Sequence, residues 1–149
     1  MNINIKRILC PTDFSASAEH AMQYAIAIAE RHAAIVELLY VTAPSTYELD
    51  SSLEGNATNE TFDKELHGHL DELASSIETN VQIETKLISG IAYAEIVNRA
   101  KIWPADLIII GTHGRTGMKH MLIGSVAEKV VRSASCPVCT IRHPDHVID

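Results

Sequence analysis

Two kinds of apolar pattern alternate along the chain. Short, almost uninterrupted apolar runs are typical of strands that are buried on both faces. Between these runs, apolar residues recur at the spacing of one helix face, which predicts amphipathic helices. The predicted strands cover residues 8–10, 35–41, 81–88, 107–110 and 137–141, and the predicted helices cover about 15–32, 62–77, 92–102 and 126–134.

Local signals refine the ends of these elements. Pro11 stops the first strand, and Ser15 or Ser17 caps the first helix. The segment 42–59 is polar and has no period, which predicts a long loop. In the last helix the predicted buried stripe consists of Val126, Ala127, Val130, Val131 and Ala134.

The regular alternation of strand and helix predicts an α/β fold with a parallel sheet and helices on both faces. Right-handed crossovers limit its possible topologies. Ligands of such sheets bind beyond the carboxyl ends of the strands, where the strand order reverses. If the first and fourth strands are neighbours, residues 11–13 and the turn at Gly111 meet at that point.

Length and composition predict one domain, residues 1–149, with a core of ordinary size. The net charge of −7 argues against non-specific binding to nucleic acid, which requires a basic surface. No apolar run approaches the length of about 20 residues that spans a bilayer, and the first residues lack a signal-peptide core. Three cysteines form no even disulfide framework. We therefore expect a cytoplasmic protein without a membrane or nucleic-acid partner.

The turn after the fourth predicted strand is rich in glycine. Gly111, Gly114 and Gly124 lie between the apolar run and the last helix, and Ser125 follows directly. Glycine lets the backbone approach a phosphate, and a helix N-terminus offers N–H groups and the positive end of the helix dipole. Arg115, which follows Gly114, adds a positive charge. The segment therefore predicts an anion site.

Other interpretations of this turn stay open. Glycines also form ordinary turns before a helix cap. The segment is not a P-loop, because no Gly-Lys-Ser/Thr sequence closes it, and it lacks the compact glycine spacing of a dinucleotide fingerprint. Ser125 and Glu128 have the spacing of a capping box, in which the serine hydroxyl accepts from the N–H of Glu128. We expect this box to form when the site is empty and a phosphate to replace it.

The spacing Gly111-x2-Gly114-x9-Gly124-Ser125 resembles the nucleotide-binding signature of the universal stress proteins, in their ATP-binding branch. The similarity includes Ile-Leu-Cys-Pro-Thr-Asp-Phe-Ser at residues 8–15 and Cys-Pro-Val at residues 136–138, and it covers essentially the whole chain. It implies a homodimeric α/β domain with a doubly wound parallel sheet in the order 3-2-1-4-5. The resemblance further implies binding of ATP or a related adenine nucleotide and a role in stress responses.

The same resemblance implies which residues contact the nucleotide. Adenine would lie near Pro11, Asp13 and Val41, and the phosphates would lie on the glycine-rich turn and the helix start. Mg²⁺, held largely by phosphates and water, would accompany ATP. Together with Arg115, the predicted nucleotide-binding residues are Pro11, Thr12, Asp13, Val41, Gly111, Gly114, Gly124, Ser125 and Val126.

Two of the polar residues near this site have local alternatives. Asp13 follows a strand end and is also a suitable N-cap for the first helix. His113 lies between the glycines, where it packs or faces water. No neighbouring carboxylate orients it in the sequence, so we do not assign it as a general base.

Cys136 and Cys139, together with His143 and His146, suggest a zinc site at first sight. The two pairs are too close together for the usual zinc finger, and strand alternation separates Cys136 from the others. A thioredoxin-like site is disfavoured because the cysteine pair precedes a strand and not a helix. Buried thiols at the edge of the core are the favoured interpretation.

The last predicted strand is short and lies near the chain end. An exposed edge strand can pair with a second copy of itself, and symmetric dimers are the commonest oligomers. The family resemblance implies a homodimer through this strand.

The leading hypothesis is therefore a binding module, a homodimeric switch that responds to ATP. One alternative is an enzyme that slowly hydrolyses ATP or transfers a phosphoryl group, but the sequence shows no residue that would activate water. Another is a dimeric scaffold without nucleotide, against which the glycines argue. No catalytic and no metal-binding residue is assigned.

Overall fold

Five parallel strands form a single sheet with helices on both faces in the computed structural model, which describes residues 1–44, 56–113 and 123–144. This architecture confirms the predicted α/β class. The strands are β1 (Arg7–Pro11), β2 (Ile35–Thr42), β3 (Ile83–Ser89), β4 (Leu107–Gly111) and β5 (Val138–Ile141). The helices are α1 (Ala16–His32), α2 (Asn56–Ser75), α3 (Ala92–Ile102) and α4 (Ser125–Ser133).

The strand order is β3-β2-β1-β4-β5, which confirms the order implied by the family resemblance. Strand β1 is central, and its Leu9 pairs with Glu37 of β2 and with Ile108 of β4. The chain adds β2 and β3 on one side of β1 and then returns to add β4 and β5 on the other. The order therefore reverses between β1 and β4, whose last residues are Pro11 and Gly111.

Alternate side chains of the central strand enter two separate cores. Ile8 and Cys10 pack in the layer of α1 and α2, whereas Leu9 packs in the layer of α3 and α4. All three side chains are fully buried, so both layers are held on the sheet by the hydrophobic effect. Burial also raises the pKa of the Cys10 thiol to about 12, because the thiolate would lose its hydration.

Ser15 caps the amino end of α1. Its hydroxyl accepts a hydrogen bond of 3.2 Å from the N–H of Ala18, which satisfies one of the N–H groups that lack a partner within the helix. Of the two predicted caps, Ser15 is therefore the right one, and Ser17 lies buried inside the helix. The helix ends at Ala33, whose left-handed φ of 52° turns the chain toward β2.

The bounds of α2 differ from the prediction. The helix begins at Asn56, inside the segment 42–59 that was predicted as a loop, and it ends at Ser75, before Ile77. Thr42, at the other end of that segment, closes β2. The first turn of α2 is polar, so the hydrophobic pattern does not indicate where the helix starts. The rest of the predicted loop, residues 45–55, lies outside the described residues.

The predicted buried stripe of α4 is only partly correct. Ala127 and Val130 are buried, but Val126 and Val131 are 37% and 48% exposed. The helix packs mainly against α3 and only lightly against the edge strand β5. A narrow strip of the helix is therefore covered, and the valines beside this strip reach solvent.

Exposed apolar side chains also occur on elements other than α4. Examples are Phe62 of α2 and Ile102 of α3, and isolated exposed apolar residues are common in folded proteins. Among the residues that the structure describes, no helix has both the length and the apolarity needed to cross a bilayer.

Candidate functional site

A cavity of about 380 Å³ lies where the strand order reverses. Its walls come from the carboxyl ends of β1, β2 and β4 and from the first turns of α1, α3 and α4. The predicted nucleotide-binding residues that line it are Pro11, Thr12, Asp13, Val41, Gly111, Gly124, Ser125 and Val126. The other two, Gly114 and Arg115, lie outside the described residues. The structure thus brings together all of the predicted site residues that it describes, and their role in binding stays a prediction.

One wall of the cavity is apolar and was missed in the sequence. Leu39 of β2, Ile110 of β4 and Ile96 of α3 line it beside Val41. In the sequence Leu39 and Ile110 are ordinary members of apolar runs, and Ile96 belongs to the apolar pattern of a helix. For the two strand residues, nearness to the carboxyl end of the strand was the only signal, because ligands of such sheets bind beyond these ends.

The turn after β1 is held by its own polar side chains. The N–H of Thr12 donates to the carbonyl of Leu39 at 2.8 Å, and the Thr12 hydroxyl accepts from the N–H of Phe14 at 3.1 Å. The Asp13 carboxylate accepts from the N–H of Ser15 at 3.0 Å. Because Ser15 is the N-cap of α1, the alternative role of Asp13 as the cap is wrong. Asp13 instead shapes the turn and lines the cavity.

Phe14 fixes this turn to the opposite layer of the fold. Its φ of 64° lies in the left-handed region, which is unusual for a bulky residue. Its ring stacks on Tyr40 at 4.9 Å and contacts the His69 ring at 4.4 Å between centroids. These contacts offset the backbone cost and hold Thr12 and Asp13 at the cavity.

Gly111 is required by the packing of α1 on β4. A Cβ atom at this position would lie 2.7 Å from the Ser17 hydroxyl oxygen and 2.9 Å from the Ser17 carbonyl oxygen. No real Cβ atom tolerates such a distance to backbone, so only glycine fits. Protein packing by itself therefore accounts for this glycine, whether or not a phosphate binds.

Gly124 has the same kind of explanation. A Cβ atom there would lie 2.8 Å from the carbonyl oxygen of Thr112, and the Gly124 N–H donates a hydrogen bond to that oxygen. The bond joins the end of β4 to the start of α4. It places the start of α4 beside the cavity. Residues 114–122, which lie between the two joined segments in the sequence, are outside the described residues.

The predicted capping box at the start of α4 is wrong. Gly124 is the N-cap, and the N–H of Glu128 donates to the Gly124 carbonyl at 3.0 Å, not to the Ser125 hydroxyl. The Glu128 carboxylate instead pairs with Arg132 at 2.9 Å. The helix begins one residue earlier than the box requires, so Ser125 is its first residue. Within the described part of the chain, no side chain caps this helix end.

His113 is buried at the cavity and oriented by its neighbour. Its Nδ1 lies 2.8 Å from the Thr112 hydroxyl oxygen, and its backbone N–H donates to the Ser17 hydroxyl at 3.5 Å. His113 and Thr112 are both buried and both line the cavity. The sequence left open whether His113 packs or faces water, and its burial shows that it packs. The Thr112 hydroxyl beside it was not predicted from the sequence. The N–H of Thr112 also donates to Ile141 of β5 at 2.9 Å.

A buried ion pair lies behind the apolar wall. Arg99 of α3 donates two hydrogen bonds of 2.7 Å to the carboxylate of Glu37 on β2. Hydrogen bonding to Glu37 raises the pKa of Arg99 further, and the nearby Glu84 acts in the same direction. Glu37 is the single charged residue in an apolar strand. Its position could have indicated a buried ion pair, but none was predicted from the sequence.

The three cysteines are free thiols. Burial raises the pKa of Cys136, which disfavours its reactive thiolate form. Among the described residues no group of three or more histidine, cysteine, aspartate or glutamate side chains is arranged to hold a metal ion. His146, which completed the zinc alternative, lies outside those residues.

Comparisons with known proteins agree with this geometry. A model of the universal stress protein family matches residues 4–142. Universal stress protein MJ0531 of Methanocaldococcus jannaschii is 36% identical over an alignment that covers 93% of this chain and 83% of that protein. MJ0577 of the same organism is 34% identical, with 95% and 98% covered. The solved structure of MJ0577 superposes with a TM-score of 0.82 at 30% identity and covers 96% of this chain and 99% of that one.

Two more distant structures share the fold and contain adenine nucleotides. One is a universal stress protein in complex with cAMP, with a TM-score of 0.68, 20% identity, and 93% of this chain and 97% of that chain covered. The other is a universal stress protein of Archaeoglobus fulgidus in complex with dAMP, with a TM-score of 0.61, 20% identity, and 94% and 99% covered. At these identities the likeness concerns the fold alone. The sheet order, the family match over residues 4–142 and the relatives above 30% identity together show that the chain belongs to the universal stress protein family.

Proposed function

We propose that the protein is a stress-response switch that binds an adenine nucleotide, with ATP as its ligand, in the cavity between β1 and β4. The observation that carries this proposal is the cavity itself, which is lined by apolar side chains and by the start of α4. Its volume of about 380 Å³ lies in the range of small-molecule sites.

The apolar and the polar residues of the cavity lining suit different parts of a nucleotide. Pro11, Leu39, Val41 and Ile96 offer an apolar surface to a flat base. Asp13 also lines the cavity, where its carboxylate would accept hydrogen bonds from ribose hydroxyls.

The start of α4 suits the phosphates. The first N–H groups of a helix have no partner within it, and the helix dipole favours an anion there. Gly114 and Arg115, which lie outside the described residues, are proposed from the sequence alone to contact the phosphates. Mg²⁺ would be held largely by phosphate oxygens and water. The cAMP and dAMP complexes of proteins with the same fold support an adenine nucleotide as the ligand.

The proposed switch is a homodimer that pairs through β5. This strand is short and lies at the edge of the sheet, where it pairs with β4 on one side, and an edge strand can pair with a second chain on its other side. Thr112 links the site to this edge, because it lines the cavity and donates to Ile141 of β5. The protein would act in the cytoplasm, which its three free thiols support.

The proposal is tested first by denaturing the purified protein and identifying any released nucleotide by chromatography. Calorimetric titration of the nucleotide-free protein with ATP, AMP, adenosine and GTP then measures affinity. Asp13→Asn keeps the acceptor for Ser15, and Ser125→Ala removes only a hydroxyl, so both leave the fold intact. We expect each to weaken ATP binding roughly tenfold.

Ser133→Ala is the matched control, because Ser133 is exposed at the far end of α4. It should bind ATP like the wild type. Absence of nucleotide in the purified protein, together with no calorimetric signal for any adenine nucleotide, would overturn the proposal. Sedimentation with and without ATP tests the dimer, and a monomer under both conditions would contradict it.

Slow hydrolysis of ATP is the second candidate, and His113 favours it. The imidazole is buried in the cavity wall, and the Thr112 hydroxyl orients it at Nδ1. It would take the proton of a water that attacks the γ-phosphorus while the bond to the ADP oxygen breaks. Phosphate release that requires Mg²⁺ and is lost in His113→Gln would support this activity, and ATP recovered intact after long incubation would exclude it.

A further inference from the structure

Lys129 of α4 contacts the side chain of Tyr93 on α3. Its Nζ lies 5.0 Å from the centroid of the Tyr93 ring. This distance is within the limit of about 6 Å for a cation–π contact. Tyr93 directly follows Ala92, which lines the cavity on α3, and Val126 lines it on α4. The contact therefore joins two helices whose first turns both line the cavity.

The contact lies at the amino ends of both helices. Tyr93 is the second residue of α3, and Lys129 lies one turn after Ser125 in α4. Long side chains on a helix lean toward its N-terminus, so the ammonium group of Lys129 extends back toward the first turn. Both helices begin near the carboxyl edge of the parallel sheet, which is also the edge that bears the cavity. Lys129 therefore lies one turn from the helix start that is proposed to bind the phosphates.

We propose that Lys129 makes the site selective for nucleotides with a phosphate chain over nucleosides. Its ammonium group rests on the Tyr93 ring without ligand and moves to the phosphate oxygens when ATP binds. This role rests on the proposed function. A hydrogen bond between an ammonium group and phosphate is stronger than an exposed cation–π contact, so the exchange is favourable.

Other features of α4 leave Lys129 available for this movement. The residue is exposed, so packing does not hold its side chain. The adjacent carboxylate, that of Glu128, pairs with Arg132 on the next turn. The ammonium group contacts the aromatic ring of Tyr93, which holds a cation weakly at an exposed position.

Calorimetry with two ligands tests the proposal. Lys129→Gln should weaken ATP binding roughly tenfold and leave adenosine binding within about twofold, because only phosphate contacts are lost. Lys129→Arg should restore most of the affinity for ATP. Lys101→Gln is the matched control, since it removes the same charge from an exposed position in the last turn of α3. It should change neither affinity.

Nuclear magnetic resonance gives a second readout that a merely structural role would not affect. The ε-methylene protons of Lys129 should show the upfield shift caused by the Tyr93 ring. This shift should disappear with ATP and persist with adenosine.

The outcomes separate this inference from the proposed function. Equal affinity of wild type and Lys129→Gln for ATP, or an equal loss for ATP and adenosine, overturns the role of Lys129 alone. A wild-type protein that binds neither ligand overturns the proposed function and this inference with it.

Discussion

Arg99 and Glu37 form a bidentate ion pair directly behind the cavity. Glu37 precedes Leu39 by two residues on β2, so the two side chains face the same layer, and Arg99 follows Ile96 by one turn on α3. The carboxylate is 2% exposed and the guanidinium 17% exposed. The pair thus ties α3 to the sheet beside two residues of the apolar wall.

Breaking this pair on one side should destabilise the protein strongly. Arg99→Met leaves a buried carboxylate without its partner, and we expect the free energy of unfolding to fall by about 3–5 kcal/mol. Replacing both residues, as in Glu37→Leu with Arg99→Met, removes the buried charge and should recover most of the loss. Urea denaturation measures both variants. A double variant that is no more stable than Arg99→Met would contradict the expectation.

Gly111 should not accept a side chain. In Gly111→Ala the new Cβ atom would meet the backbone of Ser17, so either α1 or β4 must shift, and we expect a loss of about 1–3 kcal/mol in the free energy of unfolding. Gly68→Ala is the matched control, because nothing lies within 4 Å of its added Cβ atom in α2. This variant should gain about 0.5–1 kcal/mol, since alanine favours helix. Thermal unfolding of the two variants in parallel checks the opposite signs.

Two serines at helix starts should respond differently to alanine. Ser15→Ala removes the N-cap bond to Ala18 and should lower the free energy of unfolding by about 1 kcal/mol. Ser125→Ala removes no cap bond, so its stability without ligand should remain within about 0.5 kcal/mol of the wild type. A large loss of stability in Ser125→Ala would restore the capping box that the structure excludes.

Cys10 should make stability fall at high pH. Its pKa is about 12 in the folded protein, against an ordinary value of 9.0. Above pH 9 the unfolded chain loses this proton while the folded protein keeps it, so the unfolded state binds fewer protons and is favoured as the pH rises.

The effect is visible as a difference between wild type and Cys10→Ala. From pH 7 to pH 10 the stability advantage of the wild type over this variant should shrink by about 1.4 kcal/mol. Urea denaturation at the two pH values measures it, and the comparison cancels the other groups that titrate in this range. An advantage that is the same at both values would contradict the burial of this thiol.

Much of the fold could be predicted from local hydrophobic patterns in the sequence. The bounds predicted for α3, residues 92–102, agree with the structure because its apolar spacing is complete from end to end. The start of α2 could not be predicted from the sequence, because its first turn is polar. The helix is held on the sheet by the packing of later residues such as Leu70. The buried stripe predicted for α4 is wrong at Val126 and Val131. Periodicity identifies the apolar face of a helix but not how much of that face other elements cover.

The alternation of strands and helices, the family, and the residues at the ends of β1 and β4 that meet at the cavity could all be predicted from the sequence. These depend on short-range patterns and on glycine and proline positions. Three features are visible only in the folded structure. They are the close packing that requires glycine at positions 111 and 124, the hydroxyl that orients His113, and the burial of Glu37 against Arg99. Each of these depends on a contact between residues on different elements, and the distance between two side chains far apart in the chain is set by packing and not by local sequence.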